Sequence, residues 1–234
     1  MTAVKGTGLP RTRRADKAER TRQAILQAAS ELFAAHGFAA TTITAIADRA
    51  DVAAETVYSR FGTKLNLLSE ILDTAIVGNP RGVDILDLPE VADIRALRDQ
   101  RAQLTRLAQF SRGILERSAL GHRILRSSGT ADPALAEFVT QDRQRRHRTQ
   151  TAYIAMLRNN GPLRGGMSPA DAAATYGALA NPDTYAHLTS HRGWSPDQYQ
   201  TWLGETLTLL LLPPEPAPQG QVLRRVPPGD GVGR

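Results

Sequence analysis

The chain has 234 residues, no cysteine, 41% hydrophobic side chains and a formal net charge of +6. This length and apolar content allow one large or two small domains with a real core. The lack of cysteine excludes a disulfide framework, a Cys-ligated zinc site and thiol chemistry.

The basic charge is concentrated at the start. Lys5, Arg11, Arg13, Arg14, Lys17, Arg20 and Arg22 stand against Asp16 and Glu19. Such an arm either lies along nucleic-acid phosphates, with a salt-dependent contribution from counterion release, or is a solvated tail. Residues 1–14 contain no apolar segment of the secretory kind, and the run Leu207 to Leu212 is far too short to span a bilayer, so a soluble cytoplasmic protein is expected.

The spacing predicts a first helix over 16–36, with Ile25, Ala29, Leu32 and Phe33 on its buried stripe. Thr41 or Thr42 then caps a two-turn helix carrying Ile43, Ile46, Ala47 and Ala50. Asp51 stands where the chain must turn sharply, a position that Asp tolerates better than most residues, and Val52 pins the turn to the core. A third helix is expected over 53–61, with Val57 and Phe61 inward and Ala54, Glu55, Tyr58 and Ser59 outward. Gly62 ends it, and Thr63 caps a fourth helix with Lys64 in its first turn. A cation there opposes the helix dipole and points to an external anion such as phosphate.

This layout of two short helices, a tight turn and a capped third resembles the DNA-binding domain of the TetR family of bacterial transcriptional regulators. The matching stretch runs from Thr21 to about Leu72 and includes Gly37-Phe38, the Thr-Thr start, the TVYSRF segment and the Thr-Lys start of the fourth helix. It departs from the family pattern at Asp51, where Gly is usual, and at Ala53, where a capping Ser is usual; a lost cap costs about 1 kcal/mol.

The resemblance implies an all-α protein of about nine helices: a three-helix DNA-binding domain over 15–62 and a ligand-binding and dimerisation domain over 63–212. The basic arm of 1–14 and a Pro/Gly-rich tail of 213–234 flank them. It further implies phosphate contacts from Thr42 and Lys64, a backbone contact from Tyr58, and a place near base edges or adjacent phosphates for Ala53, Ala54, Glu55, Thr56, Ser59 and Arg60. Thr44 joins this set of DNA contacts. Glu55 has two readings, as an acceptor from a cytosine amino group or as a stabiliser of its own helix dipole. Thr42 and Tyr58 have structural readings as cap and half-buried aromatic, and Lys64 and Arg60 as solvated charges.

Beyond a break at Gly78, Asn79, Pro80 and Gly82, helices are expected over 89–117, 119–127 and 133–159. Another opens at Ser168-Pro169 and is kinked or interrupted at Pro182, and the last opens at Ser195-Pro196 and reaches Leu212. By resemblance, the last two helices form a homodimer interface using Tyr176, Leu179, Leu188, Tyr199, Trp202, Leu203, Leu207 and Leu210. Such a dimer suits a palindromic operator on double-stranded DNA. The middle helices hold a small-molecule inducer in the family; Phe110, Ile114, His122, Leu125, Phe138, Tyr153, Met156, Leu157 and Tyr176 are candidate lining residues, with ordinary core as the competing explanation. Arg143, Arg145, Arg146 and Arg148 read as the solvated face of their helix, although an anionic ligand suits them.

His187 and His191 share the i, i+4 spacing of zinc-binding helices, but the adjoining Glu and a third ligand are missing. No catalytic residue, metal or cofactor is therefore expected. A ligand-released homodimeric repressor is the leading reading, and an interaction or sensor protein of the same fold without operator binding is the alternative.

Overall fold

The computed structural model describes residues 13–77, 83–127 and 133–214. The basic stretch before Arg13, the break at 78–82 and the tail from 215 lie outside the described residues. Within them the chain is all-helical: α1 (Arg13–Ala40), α2 (Ile43–Arg49), α3 (Ala54–Phe61), α4 (Lys64–Val77), α5 (Pro89–Ala96), α6 (Gln100–Ser127), α7 (Pro133–Arg158), α8 (Pro169–Leu179), α9 (Pro182–Ala186) and α10 (Pro196–Leu211). None of the described helices is long and apolar enough to cross a membrane.

Local chemistry explains most boundaries. Thr42 accepts from the Ala45 amide at 3.0 Å and caps α2, and Thr63 accepts from the Asn66 amide at 3.1 Å and caps α4. Asp51 makes the turn between α2 and α3 with φ of 54°, the left-handed conformation anticipated for it. The α1 helix is longer than expected. Gly37 takes φ 81° and ψ 162° inside it, and the chain regains a final turn before Thr41.

The region expected to hold a break near residue 118 is continuous, and the break lies upstream at Leu97–Asp99. Ser118 does not interrupt α6 because its hydroxyl donates to the Ile114 carbonyl within the helix at 2.8 Å. The Asp99 carboxylate accepts from the Arg101 and Ala102 amides and so starts α6 afresh. The open end of α5 is closed from a distance, since Asn160 Nδ2 donates to the Leu97 carbonyl at 2.8 Å and Gln103 Nε2 to that of Ile94 at 3.2 Å. Pro182 interrupts its helix outright: Asn181 Oδ1 accepts from the Asp183 and Thr184 amides and caps α9, which runs into a wide π turn at His187–His191.

Two buried clusters form the interior. The first joins Ile25, Phe33, Ile46, Val57 and Phe61 of α1 to α3 with Leu67, Leu68 and Leu72 of α4, and also takes Ile124, Leu135 and Phe138 from α6 and α7. The second gathers Leu104, Leu107, Tyr153, Ile154, Leu157, Tyr176, Leu203 and Leu207 from α6, α7, α8 and α10. Helices α4 and α6 approach so closely at Gly121 that a Cβ there would lie 2.5 Å from Leu72 Cδ2. Since Leu72 is itself buried, α4 is seated directly on the body of the molecule.

Candidate nucleic-acid interface and effector cavity

Helix α3 presents its outer face to solvent. Val57 and Phe61 are buried, whereas Ala53, Glu55, Tyr58, Ser59 and Arg60 are exposed and Ala54 and Thr56 are half-buried. Tyr58 is 55% exposed, a large value for an aromatic with no covering neighbour. Thr42 and Thr44 lie exposed at the start of α2. The Thr42 oxygen accepts the capping bond, which leaves its hydroxyl proton available to a phosphate. Ala53 is extended at the N-cap of α3 with no side-chain cap, as its methyl group dictates. Ser59 donates to the Thr56 carbonyl at 3.1 Å.

Lys64 is engaged within the chain. Its ammonium donates to the carbonyls of Phe38 at 2.8 Å, Ala39 at 3.3 Å and Thr41 at 2.7 Å, and it sits 4.8 Å from the centroid of the Phe38 ring. The cation at the start of α4 therefore needs no external anion to explain it: it closes the electronegative C-terminal end of α1. This clamp fixes the corner from which Thr42 and α2 depart. Across the same unit, Arg49 Nε and Nη2 reach Glu31 Oε2 at 3.0 and 2.6 Å and tie α2 to α1. The Arg49 bond holds the Glu31 carboxyl below its ordinary range.

A second feature is a cavity of about 540 Å³ bounded by α4, the turn before α5, α6, α7 and the α8–α9 junction. Of the residues anticipated for it, Ile114, His122, Tyr153 and Tyr176 line it. Phe138 and Leu125 belong instead to the N-terminal cluster, and Phe110, Met156 and Leu157 to the C-terminal core. On α7 the cavity face passes through residues 142, 145, 146, 148, 149, 150 and 153, and 138, 156 and 157 belong to the two cores.

The cavity has two unlike ends. At one, the Ser111 and Tyr176 hydroxyls share a hydrogen bond of 2.7 Å, the Tyr153 and Tyr176 rings meet edge to face at 5.8 Å, and the Tyr153 hydroxyl is buried with no hydrogen-bond partner. Burial pushes both phenols well above their ordinary range, so they stay neutral donors. At the other end, Asp142 is held by Arg146 at 2.9 Å and Arg145 at 3.5 Å, while Arg145 also reaches Asp73 of α4 at 3.3 Å. His122 is pushed down to about 4, first by burial, and is neutral near pH 7. Arg145, Arg146 and Arg148, read as solvated, thus line the cavity, and Arg143 does not. The i+3 and i+4 spacing from Asp142 to Arg145 and Arg146 was the available sequence signal; Asp73, Ser111 and Ser118 offered none, because only packing brings them there.

The aromatic surface expected for a dimer divides. Tyr176, Tyr199, Leu203 and Leu207 are fully buried within the chain and so cannot form an interface. Tyr199 donates to the Leu179 carbonyl at 2.8 Å and packs edge to face on Tyr185 at 4.9 Å. Leu179, Leu188 and Trp202 are half-buried, Leu210 is 39% exposed, and Leu209, not anticipated, is 64% exposed. His187 and His191 stack edge to face at 6.0 Å in the π turn, and among the described residues no three His, Asp or Glu side chains converge as a metal site would need.

An exposed third helix set behind a capped two-turn helix, mounted on an all-helical body with an internal cavity, is a helix-turn-helix architecture of the TetR type. Residues 25–71 match the model of the family described as bacterial regulatory proteins, tetR family. No curated protein matches the chain. Among solved structures, NalD of Pseudomonas aeruginosa, the secondary repressor of the MexAB-OprM multidrug efflux pump, is 26% identical, with 84% of this chain and 98% of that one covered at a TM-score of 0.64. SmeT in complex with triclosan is 20% identical, with 85% and 99% covered at 0.64. A regulator from Saccharomonospora viridis in complex with choline is 21% identical, with 82% and 98% covered at 0.60. The N-terminal segment thus matches the family model, and the fold over most of the chain is similar to that of TetR-type repressors.

Proposed function

We propose that the protein is a homodimeric transcriptional repressor that binds a palindromic DNA operator and is released by a small molecule entering the cavity. The observation that carries this reading is the position of α4, whose N-terminal Lys64 clamps the corner of the reading head and whose Asp73 and Ile76 line the cavity. A ligand that moves α4 would therefore move α3. The reading assigns residues 15–62 to the DNA-reading head and 63–212 to the regulatory part. Thr42 and Thr44 serve phosphates, Ala53, Ala54, Glu55, Thr56, Ser59 and Arg60 lie near the groove, and Tyr58 rests on the backbone. Lys64 acts chiefly by positioning this surface. Dimerisation uses the outward faces of α8 and α10, through Leu179, Trp202, Leu209 and Leu210. NalD, a repressor, and the ligand complexes of SmeT and the Saccharomonospora viridis protein support repression and small-molecule control by likeness. Nothing in this reading calls for catalysis, and it places the protein in the cytoplasm, where its DNA is.

Selection of bound sequences from a random DNA pool at two salt concentrations tests it. Recovery of one palindrome is expected. Sequence-independent, salt-sensitive binding alone would instead favour an interaction or sensor protein of this fold.

A further inference from the structure

The cavity runs along α7 from Asp142 to Tyr153, a rise of about 16 Å for a helix advancing 1.5 Å per residue. Ile76, Ile85, Leu86, Ile114 and Leu115 make its wall apolar between a charged end and a phenolic end. A small polar ion would leave that wall unused, and a wholly apolar molecule would cover charged groups without pairing them.

The charges at the polar end are not equally committed. Asp142 is buried and held by two arginines, so it has no capacity for another cation. Asp73 has the looser arrangement, with one oxygen 3.3 Å from Arg145 Nη1 and the other 3.5 Å from the Ser69 hydroxyl. Arg145 is 41% exposed in its side chain, and Arg148 beside it makes no ion pair among the described residues. At this end the exchangeable groups are therefore cations: an incoming anion meets Arg148, without an ion pair among the described residues, and Arg145, shared between Asp73 at 3.3 Å and Asp142 at 3.5 Å, while the carboxylate of Asp84, elsewhere in the lining, accepts from the Leu86 amide.

We propose that the effector is an elongated amphipathic carboxylate whose apolar body lies along α7 and whose anionic head takes Arg145 from Asp73. This rests on the reading of the cavity as the effector site. The exchange has a structural consequence, because Asp73 belongs to α4 and Arg145 to α7: binding removes the ion pair that ties the support of the reading head to the body. The Asp73 carboxyl, already pushed upward by burial, is able to take a proton when the guanidinium leaves.

The test is calorimetric titration of the full chain with decanoate, 1-decanol and decylamine, which share a tail and differ in head charge. Decanoate is expected to bind at least about tenfold more tightly than decanol, the scale of a charge-assisted hydrogen bond, and decylamine least tightly. In Arg145→Gln that preference collapses while decanol affinity is kept, and in Asp73→Asn decanoate binds more tightly because its competitor is gone. If Arg145→Gln does not fold, the wild-type preference and Asp73→Asn decide. Equal binding of decanol and decanoate, or a preference for decylamine, overturns the proposal and leaves the effector site standing. Failure of all three to bind overturns the proposal and withdraws support from the effector site as well.

Discussion

The Lys64 ammonium donates to the Thr41 carbonyl at 2.7 Å, one residue before the Thr42 cap of α2. A single side chain at the start of α4 thus holds the end of α1 and the beginning of the helix-turn-helix in one corner. Lys64→Ala removes three charge-assisted bonds and a cation–π contact from a half-buried site. A loss of about 1–3 kcal/mol is expected, read as a lower urea midpoint. An unchanged midpoint with a flattened salt dependence of DNA binding would mean that the ammonium serves phosphate instead.

Base reading and positioning separate in the same assay. Glu55→Ala and Thr56→Ala are expected to change which sequences are selected from a DNA pool, each costing about 1–3 kcal/mol against the original preference, while Lys64→Ala weakens all sequences alike. Parallel losses on every sequence for all three variants would remove the proposed division of labour.

Ala53 occupies the N-cap of α3 with extended φ and ψ but no oxygen to offer the free amides. Ala53→Ser supplies that oxygen without altering the backbone, so a gain of about 1 kcal/mol is expected, visible as a raised melting temperature. No gain would show that water already satisfies those amides.

His122 gives the protein an acid-sensitive interior. Its folded pKa of about 4 lies below the ordinary 6.5, so as pH falls the unfolded chain takes up this proton first. The stability it contributes is fully present above about pH 6.5 and is lost as pH falls toward 4, at up to about 1.4 kcal/mol per unit. Denaturation midpoints measured between pH 7 and 4 should fall less steeply in His122→Asn than in the parent. Parallel curves would assign the acid sensitivity to other groups.

Leu209 and Leu210 stand exposed at the end of α10, where an apolar pair is more economically covered by another surface than left in water. The double change Leu209→Glu with Leu210→Glu is expected to shift the protein to monomer in sedimentation equilibrium and to abolish operator binding with it. A dimer that persists would move the interface to α8 or to the π turn.

Much of this was legible in the residues themselves because the forces are local. Thr42, Thr63, Asp51 and Gly62 announce the ends and turns of the reading head through side-chain oxygens and permitted backbone angles that act over three or four residues. Ser168, Asn181 and Ser195, each followed by Pro, open the later helices in the same way. Periodicity likewise identified Ile25, Phe33, Val57 and Phe61 as inward-facing.

What tertiary structure alone decided are the partners of side chains that reach across the chain. The carbonyls that the Lys64 ammonium meets lie 23 to 26 residues away, beyond the reach of any local pattern. The closed end of α5 depends on Asn160 meeting the Leu97 carbonyl, and the cavity's charged end on Asp73 meeting Arg145 across 72 residues. Tyr199, Leu203 and Leu207 were expected at a dimer interface and are instead buried in a core to which α6 contributes Leu104 and Leu107. Sequence by itself determined where helices begin, where they turn and which stripe is apolar, since those are set by neighbouring residues. Which stripe meets which, and whether a charge is used inside or left for a ligand, was decided only when distant helices packed and desolvated one another's faces.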